Sequence, residues 1–352
     1  MKADRIVLMV AYLLAAVAVQ ASTIYEMDRI GRLPDDGYSY AISINNDGQV
    51  LGSSMPYGAN DVRGAFLYTQ TAGMVDIQVA GQFDLPGDIN NNGQVVGTAD
   101  SGFGPRNAIV REANGGLVPL NGLPGAYDSY AFAINDDGWV VGTSGDFAVV
   151  WEGDVVAQLI GGTAGSHSYA MDINSNGSVA WVESLYTNGQ WVGTHSYVWN
   201  QGSNTLLQAL NAGDNCQAAA INGSGMIVGN SGRHAVVWSI DGTVVLDLGI
   251  GAAYEINNGG LIVGVREDKA VLWNPDGSIA ADLGALAGEN VPSTAYGIND
   301  SGQIVGAAGY DEYQNMEAVL WELVPEPSSL LVLACGITGI SALTLKRRRA
   351  GR

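Results

Sequence analysis

Ile134-Asn135-Asp136-Asp137-Gly138-Trp139-Val140-Val141-Gly142, followed closely by Ala148-Val149-Val150-Trp151, decides how the chain folds, because versions of this pair recur along nearly all of its 352 residues. The first half returns at Ile44, Ile89, Ile134, Ile173, Ile221, Ile256 and Ile298. Each isoleucine is followed by asparagine and, three residues after the asparagine, by glycine: Gly48, Gly93, Gly138, Gly177, Gly225, Gly260 and Gly302. The second half returns as Ala65 to Tyr68, Ala108 to Val110, Ala148 to Trp151, Tyr197 to Trp199, Ala235 to Trp238, Ala270 to Trp273 and Ala318 to Trp321. Spacings of 45, 45, 39, 48, 35 and 42 residues between the isoleucines suit a repeated supersecondary unit rather than a repeated domain.

Each unit reads as four short strands. Tyr130 to Ile134 alternates like a half-buried strand, and Asn-Asp-Asp-Gly after it is tight-turn chemistry, since Asn and Asp tolerate a left-handed backbone and Gly adopts it freely. Trp139 to Val141, closed by Gly142, reads as strand two, Ala148 to Trp151 as strand three and Val155 to Leu159 as strand four. β-branched and aromatic residues fill the strands and turn formers fill the gaps.

The ends of the repeat array point to a ring. The seventh unit runs into Pro325 with no room for a fourth strand, while Ile24 to Gly31, ahead of the first repeat, matches the fourth-strand pattern of Val244 to Gly249 and Ile279 to Gly284. A seven-bladed β-propeller closed by lending the N-terminal strand to the last blade accounts for both, and it protects the strand edges. A β-solenoid-like stack is the alternative and would need capping units.

Three segments are expected. Residues 1–21 carry Lys2 and Arg5 before an apolar run from Ile6 to Val19 and a small-residue cleavage site, Val19-Gln20-Ala21, the pattern of a secretory signal peptide. Residues 22–324 form the propeller. Residues 325–352 begin with Pro325-Glu326-Pro327, continue with the uncharged run Leu330 to Leu345 and end in Lys346-Arg347-Arg348-Arg349. That run of 16 residues makes a helix of about 24 Å against a hydrocarbon core of roughly 30 Å, a marginal transmembrane span whose basic end stays cytoplasmic.

With 35 acidic and 15 basic residues the formal charge is −20. Seven of the 15 basic residues (Lys2, Arg5, Lys346, Arg347, Arg348, Arg349, Arg352) lie at the two ends, outside the repeats, so the body is more acidic still. Such a surface repels nucleic acid and anionic headgroups. Cys216 and Cys335 are the only cysteines, and the second lies in the C-terminal apolar run, so the body rests on packing without a disulfide. Cys216 reads as a buried or half-buried thiol.

No catalytic, cofactor or metal constellation emerges. His167, His195 and His234 flank strands in successive units, and the Asn-Asp turns lack the alternating oxygen ligands and distal Glu of a calcium loop. No His-Glu-x-x-His, Gly-x-Ser-x-Gly or phosphate loop is present. Trp151, Trp199, Trp238, Trp273 and Trp321 share one third-strand position and read as inter-blade packing. Trp139, directly after a turn glycine where other units have Gln, Ser, Met or Leu, is expected to make a surface ligand contact such as sugar stacking, together with Trp181 and Trp191 of the longest unit. Carboxylate pairs from different blades meeting at one face would instead make a secreted polysaccharide lyase or glycosidase.

The C-terminal order of Val324-Pro325-Glu326-Pro327, apolar helix and arginine cluster resembles the PEP-CTERM sorting signal of Gram-negative bacteria. The resemblance implies recognition at Pro325, Glu326 and Pro327 by a membrane-embedded exosortase-like protein, with Arg347, Arg348 and Arg349 as the cytoplasmic end. It also implies transient anchoring in the inner membrane and delivery to the cell surface or outside, often in organisms that make exopolysaccharide. The repeat, with Ala295 to Gly306 and Ala318 to Trp321 as its clearest copy, is similar to the HAF extracellular repeat family. His234-Ala235-Val236 approximates that family's His-Ala-Phe, while Gly64-Ala65-Phe66 and Glu317-Ala318-Val319 lack the histidine. The fourth unit departs most, with Ser178-Val179-Ala180-Trp181. The family brings no established activity. The function expected is an exported, non-catalytic propeller scaffold that binds exopolysaccharide or another surface protein.

Overall fold

A computed structural model of the chain describes residues 25–56, 64–78, 85–99, 104–163, 165–286, 291–309 and 316–324. The expected signal peptide and sorting segment lie outside these residues. Among them there is no helix long and apolar enough to cross a membrane.

Residues 27–322 form one compact unit of seven four-stranded sheets. Blade 1 comprises Asp36–Ile44, Val50–Pro56, Gly64–Thr69 and Gly73–Asp76. Blade 2 comprises Leu85–Ile89, Val95–Ala99, Asn107–Arg111 and Leu117–Pro119. Blade 3 comprises Ser129–Ile134, Trp139–Ser144, Phe147–Glu152 and Val155–Gly161, and blade 4 His167–Ile173, Val179–Thr187, Gln190–Asn200 and Ser203–Leu206. Blade 5 comprises Cys216–Ile221, Ile227–Ser231, His234–Trp238 and Val244–Ile250, and blade 6 Ala252–Ile256, Ile262–Arg266, Lys269–Trp273 and Ile279–Asp282. Blade 7 takes Ser293–Ile298, Ile304–Ala308 and Glu317–Leu323 from the end of the chain and Tyr25–Gly31 from its beginning. The ring is therefore closed by the N-terminal strand, as the orphan strand predicts, and the stacked alternative is excluded.

The core is a circle of cores, each shared by two neighbouring blades. Ala180, Val182 and Val198 of blade 4 pack with Ala218, Ile227 and Trp238 of blade 5. Blades 7 and 1 close the circle through Val305, Ala318 and Leu320 against Ala41, Val50 and Phe66. Polar latches reinforce the same seams: Ser39, Ser129, Ser168 and Ser293 on inner strands each accept the amide N–H of the third-strand alanine in the preceding blade, at 2.7–3.0 Å. Trp151, Trp238, Trp273 and Trp321 are fully buried, and the indoles of Trp151 and Trp238 donate to Asn121 and Gln208 carbonyls at 2.8 and 2.7 Å. Trp199 is only half-buried.

Two glycine columns carry the blade geometry. The turn glycines sit at positive φ in all seven units, 81° at Gly138, as the Asn-Asp-Gly reading requires. Gly142 differs from its expected role: it does not close strand two but lies inside it, opposite a bulge in the inner strand between Ala131 and Ala133. There the Tyr130 carbonyl comes so close that an added Cβ would sit 1.9 Å from the oxygen.

These columns respond differently to a methyl group. Gly138→Ala meets nothing nearer than the Gln94 side chain at 3.9 Å, so it costs only the left-handed backbone penalty, about 1–2 kcal/mol. Gly142→Ala drives a Cβ into backbone and is expected to cost more than twice as much, read as the shift in a denaturant unfolding midpoint. Equal costs would show that the bulge has been misplaced.

Candidate functional site

Every inner strand delivers its Ile-Asn pair to one end of the central channel. There the seven repeat asparagines form a ring. Each side-chain Nδ2 donates to the backbone carbonyl of the asparagine in the next blade: Asn45 to Asn90, Asn90 to Asn135, Asn135 to Asn174, Asn174 to Asn222, Asn222 to Asn257, Asn257 to Asn299, and Asn299 back to Asn45, at 2.9–3.2 Å. The Oδ1 of the same residue accepts the N–H four positions on, as from Gln49 at 2.9 Å and Trp139 at 3.0 Å. One amide thus holds its own turn and the neighbouring blade. A second, outer set repeats the pattern in part, with the N–H groups of Asn91 and Asn258 donating to Asp136 and Asp300.

Immediately behind this ring lies the residue that precedes each isoleucine: Ser43, Asp88, Ala133, Asp172, Ala220, Glu255 and Gly297. Three are acids, on blades 2, 4 and 6. Asp172 accepts the N–H of Ile173 and, from the next blade, that of Ile221, both at 2.7 Å. Asp88 accepts Ile89 at 2.8 Å, Ile134 of the next blade at 3.2 Å, and the Ser43 hydroxyl at 2.6 Å. Glu255 accepts Ile256 at 2.9 Å. Protein crowds the three acids from all sides although each keeps some contact with the bore. Desolvation is the main reason their proton affinity rises, and it pushes Asp172 up to about 7 against the amides of Ile221 and Ile173, with Asp88 repulsion adding to the rise. Glu255 is held well above the carboxylate range by burial and then by repulsion from Asp172. Asp88 is also raised by burial, against the hydrogen bonds from Ser43, Ile134 and Ile89.

This cluster was not among the candidates drawn from sequence. Its signal was present in the column before Ile-Asn, where a charged residue at a position otherwise filled by Ser, Ala or Gly calls for a buried partner. The mouth here is mostly polar, lined among the described residues by Asn, Asp, Ser, Gly, Ile and Glu255 without Tyr or Arg, and encloses about 200 Å3, less than the roughly 300–1,000 Å3 of ordinary small-molecule sites.

The opposite face is aromatic. Further back along the inner strands stand Tyr40, Tyr130, Phe132, Tyr169, Tyr254 and Tyr296, with Tyr130 and Phe132 stacked at 6.3 Å and Tyr254 tilted against Tyr296 at 5.6 Å. The long second hairpin of blade 4 also reaches this face. It carries Tyr186 opposite Trp191, with Trp191 and Val192 exposed by 53% and 59%. His167 meets the Tyr186 ring edge-on at 5.2 Å and pairs with Asp146 at 2.7 Å.

The three tryptophans expected on the surface therefore part company. Trp191 is exposed. Trp139 is half-buried and covers the turn of the next blade, where a Cβ on Gly177 would come within 3.1 Å of its ring. Trp181 is 3% exposed and makes no surface contact. It occupies the strand-two position that is glycine in the other blades, stacks on Tyr197 at 4.3 Å and donates to Asn204 at 2.8 Å. Gly161 of blade 3 leaves the room for it. Cys216 is buried and free, its thiol pushed up by burial. Among the described residues no cluster of His, Cys, Asp and Glu is arranged to hold a metal ion.

Neither a protein-family model nor a curated protein matches the chain. Among solved structures, a catalytically inactive virginiamycin B lyase from Staphylococcus aureus with quinupristin is similar, with a TM-score of 0.59 at 12% identity over 86% of this chain and 100% of that one. A puromycin hydrolase mutant gives 0.53 at 13% identity over 82% of this chain and 54% of the other. A gluconolactonase from Xanthomonas campestris gives 0.46 at 11% identity, over 87% and 93%. At these identities the likeness to the first two is one of fold.

The channel acids make stability depend on pH in a definite direction. A carboxyl whose folded pKa is raised stabilises the fold fully below its unfolded value, 3.8 for Asp172, and loses that contribution as pH rises through about 7. Glu255 acts in the same sense. The melting temperature is expected to fall from about pH 5 to about pH 8, and Asp172→Asn to flatten that fall. A wild-type melting temperature that rises across this window, or a variant that falls as steeply, would contradict the assignment.

Proposed function

We propose that the chain is an exported, non-catalytic propeller scaffold of the cell surface or extracellular matrix, and that it binds a neutral exopolysaccharide on the face opposite the asparagine ring. The observation that carries this reading is Trp191. It stands out from blade 4 beside Tyr186, with His167 and the Asp146 carboxylate within reach of the same surface. Aromatic faces take the C–H side of a sugar ring, and a carboxylate and an imidazole at the edge take its hydroxyls. The chain's charge of −20 disfavours an anionic polymer. A binder is preferred to a lyase or glycosidase because both oxygens of Asp88 and of Asp172 already accept backbone amides, in a mouth too small for a sugar chain.

Export rests on the sequence. The apolar run behind Lys2 and Arg5 serves as a signal peptide, and Pro325-Glu326-Pro327 with its apolar segment and arginines serves as a PEP-CTERM sorting signal handled by an exosortase-like partner in a Gram-negative host. The resemblance of the repeats to the HAF-type extracellular family supports the same location.

The purified chain is expected to bind its host's extracellular polysaccharide saturably. Trp191→Ala should weaken binding about five- to tenfold, the loss of roughly one aromatic stack, with no change in melting temperature. Equal binding by the variant would remove Trp191 from the site, and no association with matrix or envelope fractions would sink the reading. Independently, changing Glu326→Gln together with Pro327→Ala should leave export intact but alter the final compartment on cell fractionation. The same compartment and the same C-terminal mass for both forms would refute the sorting signal.

A further inference from the structure

We infer a second binding site, for a single neutral sugar unit, in the cleft between blades 7 and 1. The cleft is a pocket of about 490 Å3 lined by Tyr40, Ile42, Ser53, Met55 and Tyr296, within the size range of small-molecule sites. It stands apart from the platform on blade 4, and the inference holds or fails without it.

Three features of the lining define the occupant. The first is an unmet hydrogen bond. Ser53 is 4% exposed, and its hydroxyl is buried without a partner. Leaving such a group unpaired costs about 1–3 kcal/mol, and Ser53 lies opposite Tyr40 in the strand register, so it belongs to the pocket wall rather than to an inter-blade latch. The neighbouring Ser54 is the contrast: its hydroxyl accepts the Leu33 N–H at 3.1 Å.

The second feature is flatness. Tyr40 and Tyr296 contribute rings from adjacent blades, and Tyr254 props Tyr296 from its far side at 5.6 Å. A propped aromatic ring is a preorganised surface, so little ordering entropy is lost when a second ring settles on it. The third is neutrality. Among the described residues the five that line the pocket carry no charge, so none of them would compensate a carboxylate or ammonium brought in from water.

A pyranose fits all three together. Its C–H faces suit Tyr296, Ile42 and Met55, while its hydroxyls suit the Ser53 and tyrosine hydroxyls. An acidic sugar would bring a charge into an uncharged pocket of an acidic protein. A purely aromatic ligand would leave the Ser53 hydroxyl as unpaired as before.

The test is a calorimetric or saturation-transfer titration of the purified full chain with cellobiose, with a glucuronate glycoside and indole as comparisons. Cellobiose is expected to bind, and the glucuronate and indole at least about tenfold more weakly. Tyr296→Ala should abolish binding. Ser53→Ala should weaken it about tenfold while leaving the melting temperature unchanged or higher, because removing an unpaired buried hydroxyl does not harm the fold. Trp191→Ala should leave this binding intact, which separates the pocket from the blade 4 platform. No cellobiose binding at high millimolar concentration, tighter binding of indole or the glucuronate, or undiminished binding in Ser53→Ala would overturn the inference.

Discussion

The ring of seven asparagine side chains is the constraint on which the rest of the propeller depends. Each Nδ2 ties one blade to the next and each Oδ1 ties down its own turn, so a blade cannot loosen its turn without loosening its neighbour. The last bond, Asn299 to Asn45 at 3.0 Å, joins residues 254 positions apart. It pairs the two ends of the repeat array in the same way as any other two blades. Aspartate cannot replace these residues, since it has no N–H to donate, and glutamine would overreach. The repeat length varies freely because this contact fixes only the inner end of each unit. Blade 4 uses that freedom for its long hairpin.

An odd number of blades leaves its mark on the channel acids. One carboxylate with two oxygens serves two isoleucine amides, its own and that of the following blade, as Asp88 and Asp172 do. Acids are therefore needed only on alternate blades, and Ala133 and Ala220 fill the places between. Seven blades cannot alternate perfectly. The irregularity falls at the seam between Gly297 and Ser43, where Ser43 donates to Asp88 instead of supplying a fourth charge. A fourth acid would add repulsion to a group whose carboxyl proton affinities burial already raises.

The fold was legible wherever local chemistry fixes it. Asn-Asp-Gly requires a left-handed glycine, four third-strand tryptophans have one place to be buried, and a missing last strand with a spare first one requires closure. What could not be read was set by partners distant in sequence. Gly142 looks like a strand end until the Tyr130 carbonyl is seen pressing on it. Trp181 looks like an exposed oddity until Gly161, twenty residues earlier on the neighbouring blade, is seen to make room. The channel acids were hidden by a similar effect. A lone Asp before Ile-Asn reads as one more solvated carboxylate, and only ring closure brings Asp88, Asp172 and Glu255 to the same bore.

The two ends of the propeller differ in what they leave unsatisfied, and that difference is the physical basis for placing ligands on one face. At the asparagine end the turn amides are taken by asparagine Oδ1 atoms and the isoleucine amides by the channel carboxylates, so a ligand arriving there must displace bonds the fold needs. At the opposite end the side chains are larger than backbone closure requires. Tyrosines replace the small residues of the inner strands, a hairpin overshoots its blade to expose Trp191 and Val192, and the Ser53 hydroxyl is held in the wall with no partner. None of these is needed to close the ring. Each leaves interaction capacity that the fold itself does not use, and its chemistry of aromatic faces and neutral hydroxyls is complementary to uncharged sugar rather than to polyanions.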